Sequence, residues 1–431
     1  MKALRTLTSV VFAMMALAAN AQEGTWNGEL NVMGNKVPLV FNFSTNGCTI
    51  DSPSQGVNGI QAEKTVKDDG TIKVKVGMIG ATFEGKMIDG EIKGTYVQNG
   101  FPLPLTLKPG KLVVKRPQTP VPPFPYKEES VSFTNAQYTF NGTLTLPENY
   151  SKNTPVVLMV TGSGQQNRDE ELFSHKPFAV IADALARQGI ASLRYDDRGW
   201  GDKSVNFADF TTDDFRQDAA AAIPLLRKRF NKVGILGHSE GGTIAMMLAA
   251  EGKADLIVSL AGMAISGKET LIMQNRQAMS AIGLPKETVD SYCNSISKAL
   301  DEIASGKKAN EINIDDVPVA LKPITIKALQ QADTPYIRHF LTVDVGKLLP
   351  KIKCPVLALN GTKDTQVDCD ANTTRIEKGL ANCKHSIKKI DGVNHLFQHC
   401  NTGIVTEYQQ IEETIAPEVL QEVAKWIKLN I

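Results

Sequence analysis

Three residues of this chain, Ser239, Asp364 and His395, have the types and the chain order needed to attack a carbonyl carbon. A serine hydroxyl is a poor nucleophile at neutral pH. It needs an imidazole to take its proton and a carboxylate to orient that imidazole. Ser239 stands in Gly237-His238-Ser239-Glu240-Gly241, between the apolar run 233–236 and the helical pattern 243–250. A serine on a tight strand-to-helix turn is lifted clear of its surroundings. Small residues two before and two after it avoid collision with the adjoining strand and helix. The pentapeptide alone also suits a glycine-rich turn that does no chemistry. The flanking elements, and the acid and base that follow, favour the nucleophile. Asp364 comes just after the apolar stretch 356–360, and His395 just after 386–390.

Other histidines and aspartates compete for these roles. His238 precedes the serine and should point away from its hydroxyl. His339 lies in a helical insertion, His385 starts a strand, and His399 has no strand leading into it. Asp368, farther along the loop of Asp364, is the stronger rival carboxylate. Asp391 is too near His395 in sequence to reach the far side of the ring. An oxyanion needs two backbone donors. The helix start places the N–H of Glu240 there. The glycine-rich turn Thr161-Gly162-Ser163-Gly164-Gln165 offers the second, from Gln165 or Ser163. A phosphate-cradling role for this turn fails, because no Gly-Lys-Ser/Thr follows it.

The chemistry calls for no metal and no organic cofactor. The six cysteines form no Cys-x-x-Cys pair and no zinc spacing, although Cys369, Cys383 and Cys400 cluster closely enough to suggest one disulfide.

The elements that must position these residues form a second domain, 127–431. Two strands open it, at 131–134 and 138–146. Buried strands are then expected at 156–160, 190–195, 233–236, 256–260, 356–360 and 386–390, with helices between them, as at 177–188 and 213–228. Apolar strands alternating with helices predict a mostly parallel sheet covered on both faces, with ligands at the carboxyl ends of its strands. At about 263–352 the rhythm gives way to a helical insertion punctuated by prolines, which would cap the pocket.

Before this domain, residues 22–108 read as short alternating strands with Asp-Gly turns, an antiparallel barrel or curved sandwich. It carries no titratable constellation, so it is either a binding module, for glycan among other ligands, or a spacer. A proline-rich linker, 109–126, separates the two domains. Residues 1–21 have a positive start, an apolar core and the small-x-small site Ala19-Asn20-Ala21, the pattern of a signal peptide. The expected location is therefore periplasmic or extracellular. Lys and Arg total 47 against 46 Asp and Glu, which leaves no field to attract nucleic acid. No stretch is long enough for stable membrane insertion.

Residues 127–431 resemble the α/β-hydrolase superfamily, and within it an exported bacterial esterase-like branch. The resemblance rests on Gly162-Ser163-Gly164 through Arg168-Asp169-Glu170, on His175-Lys176-Pro177-Phe178, and on Asp197-Arg198-Gly199 within 193–201. Gly237-His238-Ser239-Glu240-Gly241-Gly242, Asn360-Gly361-Thr362-Lys363-Asp364 and Asn394-His395 complete it. It implies an α/β-hydrolase fold with Ser239 as nucleophile, His395 as base, Asp364 as its partner, and donors near Gln165 and Glu240. It treats Asp197-Arg198-Gly199 as a structural turn. The N-terminal β-domain lies outside it. The implied partner is a small-molecule or glycan-linked ester. A serine aminopeptidase or amidase is the alternative, with Asp169, Glu170 or Glu171 holding a substrate amine unless they form a solvated acidic turn. A non-catalytic scaffold is the third reading.

Overall fold

The computed structural model describes residues 23–32, 35–45, 47–53, 57–98, 100–111, 115–281 and 283–431. The expected signal peptide lies outside them. Two units divide the chain between Lys115 and Arg116.

The first unit is a closed antiparallel barrel of eight strands in sequence order. These are β1 (Gly24–Val32), β2 (Asn35–Ser44), β3 (Gly47–Ser52), β4 (Val57–Val66), β5 (Ile72–Val76), β6 (Ala81–Ile88), β7 (Glu91–Gln98) and β8 (Phe101–Pro109). Period-two alternation sends Trp26, Phe41, Phe83, Ile92, Tyr96 and Leu107 inward, where they fill the barrel. The strand β8 is not visible to sequence reasoning, because Pro102 and Pro104 argue against a strand. They are tolerated here because β8 pairs β7 along 101–107 but meets β1 only at Lys108 and Pro109. At the prolines one side of β8 needs no N–H.

The second unit is built on an eight-stranded sheet of order β16-β15-β14-β13-β11-β12-β10-β9. Its strands are β9 (Tyr126–Asn135), β10 (Tyr138–Pro147), β11 (Val156–Val160), β12 (Ala191–Tyr195), β13 (Val233–His238), β14 (Leu256–Leu260), β15 (Val356–Gly361) and β16 (His385–Ile390). From β12 to β16 all neighbours are parallel, while β10 runs antiparallel to both β9 and β12. The helices α1 (Pro177–Arg187), α2 (Thr212–Arg227) and α3 (Glu240–Ala250) connect its central strands. Every residue of β11, β12, β13 and β14 is buried, which explains text that is apolar apart from Ser192, Arg194, His238, Ser259 and two glycines. Each such Val, Leu or Ile contributes about 1.5–3 kcal/mol on burial. The chain passes from β11 to β12 on one side and returns to β13 on the other. That reversal opens a crevice at the carboxyl ends of β11 and β13.

Between β14 and β15 stand α4 (Gly267–Ala281), α5 (Lys286–Ala304), α6 (Lys322–Ala332) and α7 (Pro335–Phe340). They share a separate core around Tyr292, Ile296, Ile303 and Leu329. The helices α8 (Cys369–Gly379) and α9 (Pro417–Asn430) follow β15 and β16. Among the described residues no helix is long and apolar enough to cross a membrane. All six cysteines are free thiols, so the disulfide expected among Cys369, Cys383 and Cys400 is absent. Cys369 instead turns its sulfur to the Asn360 carbonyl and Cys400 to that of Gly392.

Candidate active site

Ser239 sits between the last residue of β13 and the first of α3, with φ 53° and ψ −119°. A non-glycine residue held there is strained by about 1–3 kcal/mol, and the packing around it must enforce the conformation. It does so through close backbone approach. A Cβ on Gly237 would meet the Gly241 carbonyl oxygen at 2.0 Å, and one on Gly241 would meet the Val160 oxygen at 2.0 Å. The Ser239 N–H donates to the Leu260 carbonyl at 2.8 Å, fixing the turn against β14.

His395 and Asp364 come from the loops after β16 and β15. Their hydrogen bond, Nδ1 to Oδ2, is 2.7 Å long. Asp364 is shielded from solvent, and its Oδ1 accepts the N–H groups of Gln366 and Val367, each at 2.8 Å. The Asn360 amide donates to Oδ2 at 3.2 Å. A carboxylate at Nδ1 selects the tautomer that leaves Nε2 free to accept a proton. The rival aspartates are engaged elsewhere: Asp368 caps α8 through the Ala371 N–H, and Asp391 accepts from the Thr362 hydroxyl. Ser239 and His395 line one cavity of about 330 Å³, together with Ser163, Gln166, Glu170 and His238. Its outer wall comes from the β14–β15 insertion, through Leu271, Gln274, Tyr336, Ile337 and Phe340.

The turn after β11 brings the oxyanion candidates to this cavity. A Cβ on Gly162 would lie 3.1 Å from that of Ser239, so the turn passes directly against this serine. Two of its N–H groups are already committed. Gly162 donates to Glu170 Oε1 at 2.8 Å and Gln166 to Asp197 Oδ2 at 2.7 Å. Ser163, between them, lines the cavity. Gln165 is not among the described lining residues, and its side-chain amide donates to the Arg198 carbonyl at 2.8 Å. Glu240 presents its N–H at the first position of α3.

The Glu240 side chain has a part that its motif did not reveal. It is buried, and its carboxylate accepts the hydroxyls of Thr212 and Tyr336, both at 2.6 Å. Burial raises its pKa, although the hydrogen bonds from Thr212, Tyr336 and Ser163 oppose the rise.

Of the acidic turn Asp169-Glu170-Glu171, Glu171 is exposed beside Lys176, while Asp169 and Glu170 are engaged by other side chains. Arg168 binds Asp196, Asp169 binds Arg194, and Glu170 faces the His238 ring. Glu170 has φ 53°, which turns its side chain inward, and it is 4% exposed. His238 lines the same cavity. Its Nδ1 lies 2.9 Å from Glu170 Oε1, and its Nε2 lies 2.9 Å from the His395 carbonyl oxygen. Burial disfavours the charged ring, yet Glu170 and the His395 carbonyl outweigh it, and the pKa is raised. No periodicity or motif rule signals this pair, because its members are 68 residues apart.

Asp197-Arg198-Gly199 acts on the scaffold. Asp197 holds Gln166 and the Thr161 hydroxyl, and Arg198 makes two hydrogen bonds to Asp218 beneath the Tyr138 and Phe210 rings. Among the described residues no group of three or more His, Cys, Asp or Glu is disposed to hold a metal ion.

The profile of the family described as "Serine aminopeptidase, S33" matches residues 174–399, just over half of the chain and the span that contains Ser239, Asp364 and His395. The chain is 28% identical over 305 residues to esterase EstD of Thermotoga maritima, covering 69% of this chain and 68% of that protein. It is 25% identical over 252 residues to the human serine hydrolase BPHL, covering 55% of this chain and 72% of that protein. Among solved structures, a dienelactone hydrolase from Anabaena variabilis is 17% identical, with a TM-score of 0.41, covering 71% of this chain and 99% of its own.

Proposed function

The chain belongs to the serine aminopeptidase S33 family of the α/β-hydrolase superfamily, and from that premise we propose that it cleaves carboxylic esters through an acyl-enzyme on Ser239. The observation that carries this reading is the Asp364–His395 hydrogen bond of 2.7 Å, with His395 on the same cavity wall as the strained Ser239. His395 Nε2 takes the Ser239 proton as Oγ attacks the ester carbon. The N–H groups of Glu240 and of the 163–165 turn receive the oxyanion. His395 then returns the proton to the departing alcohol, and water repeats the sequence to release the acid.

The cavity favours a small or slender acyl group. Its volume is at the low end for ligand pockets, and Met263, Leu271, Ile337, Phe340 and Val367 make one side apolar. An acetyl or other short acyl ester of a carbohydrate or small molecule suits that shape. An aminopeptidase would need a carboxylate open to the substrate amine. Among the described lining residues Glu170 is the one carboxylate; His238 and the Gly162 N–H occupy its Oε1, while its buried Oε2 has no hydrogen-bond partner. The burial of Glu170 supports ester over peptide substrates. The similarity to a protein called an esterase supports it too. The leader pattern of residues 1–21 supports export, which the mass of the mature N-terminus would test.

The deciding experiment is hydrolysis of chromogenic esters, acetyl through octanoyl, by wild type and Ser239→Ala, with an aminoacyl anilide alongside. Ester turnover that falls roughly 10⁶-fold in Ser239→Ala is expected. Turnover of the anilide alone would reverse the substrate class. Failure of a fluorophosphonate probe to label Ser239 would reverse the assignment of an enzyme.

A further inference from the structure

We propose that Glu170 and His238 form a second acid–base couple beneath the catalytic one, a pair of positioning residues that holds the oxyanion turn and the His395 loop in mutual register. The proposal rests on the esterase reading of the site and goes further, to two residues that this reading does not use.

Donor counting makes the case. The His395 carbonyl can only accept, so His238 Nε2 must carry a proton to approach it at 2.9 Å. The partner of Nδ1 is a carboxylate oxygen, 2.9 Å away, which also accepts the Gly162 N–H at 2.8 Å. An oxygen that receives two donors in a buried site is best served by an ionised carboxylate and a ring protonated on both nitrogens. The raised pKa of His238 agrees with that state. One unbroken chain of hydrogen bonds thus runs from Gly162 through Glu170 and His238 to the His395 backbone. It joins the two loops that supply the oxyanion donors and the base.

The couple also acts on charge. The His238 and His395 rings are 4.7 Å apart between centroids. Among the described residues, the charged and titratable groups around the pair are Glu170 from the loop after β11, Asp364 from the loop after β15, His395 itself, and the buried Tyr408 phenol beside Asp364 and the His395 backbone. Asp197, after β12, and Glu240, on α3, act on the same region through the oxyanion turn. Of these, the His238 imidazolium is the cation that faces the base. Its removal leaves the site more negative and makes protonation of His395 easier. Because His395 must be neutral to accept a proton, the acid limb of the rate profile then moves to higher pH.

The test uses the full chain, with His238→Gln and Glu170→Gln. Histidine-selective ¹⁵N NMR of the wild type at pH 7 should show the His238 ring protonated on both nitrogens, its signal told apart from that of His399, which lies between Glu413 and Glu418, by the His238→Gln spectrum. That signal should vanish in His238→Gln and lose one proton in Glu170→Gln. In His238→Gln, kcat for the preferred ester should fall by about 10²-fold with KM little changed. Its acid limb should rise by about one pH unit. A His238 ring carrying a single proton at pH 7, or an acid limb that does not move in His238→Gln, overturns the couple. Thermal unfolding of both variants separates this loss from misfolding. A wild type with the doubly protonated ring but no ester turnover would instead overturn the esterase reading, and with it the catalytic purpose of the pair.

Discussion

The Tyr336 phenol, from the short helix α7 of the insertion, donates to the Glu240 carboxylate at 2.6 Å. Glu240 is the residue directly after Ser239, so the wall above the cavity is tied to the backbone that would bind the oxyanion. The Tyr336 ring is itself held by Phe207, at 4.9 Å between centroids, and by Phe215 at 6.2 Å. Tyr336→Phe keeps this ring packing and removes only the hydroxyl. A hydrogen bond to a buried carboxylate is worth about 1.5–3 kcal/mol, so kcat/KM for the preferred ester should drop about tenfold or more. Unchanged kinetics in this variant would show that the contact does not orient the Glu240 turn.

Asp364→Asn replaces the acceptor at His395 Nδ1 with a group of the same shape. The amide can donate to Nδ1, which favours the tautomer with the proton on Nε2 and blocks the base. The cost expected in kcat is about 10⁴-fold. Steady-state kinetics on the same ester series checks it. A loss of tenfold or less would shift the orienting role away from Asp364.

Gly241→Ala should fail structurally before it fails chemically. The new methyl would lie 2.0 Å from the Val160 oxygen and 2.5 Å from that of Thr161, and both are backbone atoms that cannot rotate aside. Destabilisation of about 3 kcal/mol or more is expected, at the upper end for overpacking. Denaturant unfolding would measure it. A wild-type midpoint would contradict the close approach of β11 to the elbow.

His175 predicts a pH dependence of stability away from the catalytic groups. Its ring is fully buried against the Thr414 hydroxyl and the Tyr408 carbonyl. Burial lowers its pKa from 6.5 to about 4, with the nearby Arg116 adding to the effect. Between those values the unfolded chain binds a proton that the folded chain refuses. The stabilisation from neutral His175 is therefore complete above pH 6.5 and is lost as pH falls toward 4. Unfolding free energies measured across that window should decline with acid, and His175→Gln should flatten part of the decline. An identical slope in both proteins would reject this contribution.

Much of the architecture can be read from local pattern, since local pattern is what burial on both faces imposes. The strands β11 and β13 to β15 are largely apolar runs, and the helices α1 and α2 carry the 3.6-residue period. The limits of these strands fall within two residues of those read from the text, while the helix after Ser239 begins three residues earlier than its pattern at 243–250. The barrel strands β3, β4 and β8 were harder. Their alternation is diluted by polar residues and prolines, and only pairing with neighbouring strands makes them strands at all.

The site divides along the same line. Sequence by itself determined the glycine-flanked serine, the strand ends carrying Asp364 and His395, and the glycine-rich turn at 161–165, all of them features of short contiguous stretches. Only the tertiary structure decided that Asp364 rather than Asp368 meets His395, that Gln166 and Gly162 have spent their N–H groups, and that Glu170 is buried against His238. It alone joined Tyr336 to Glu240 across 96 residues. These pairings depend on backbone angles at single residues, such as the positive φ of Glu170 and Ser239. They depend equally on the order in which the strands lie side by side in the sheet. No local pattern encodes either one, because the energy that enforces them is the packing of segments distant in the chain.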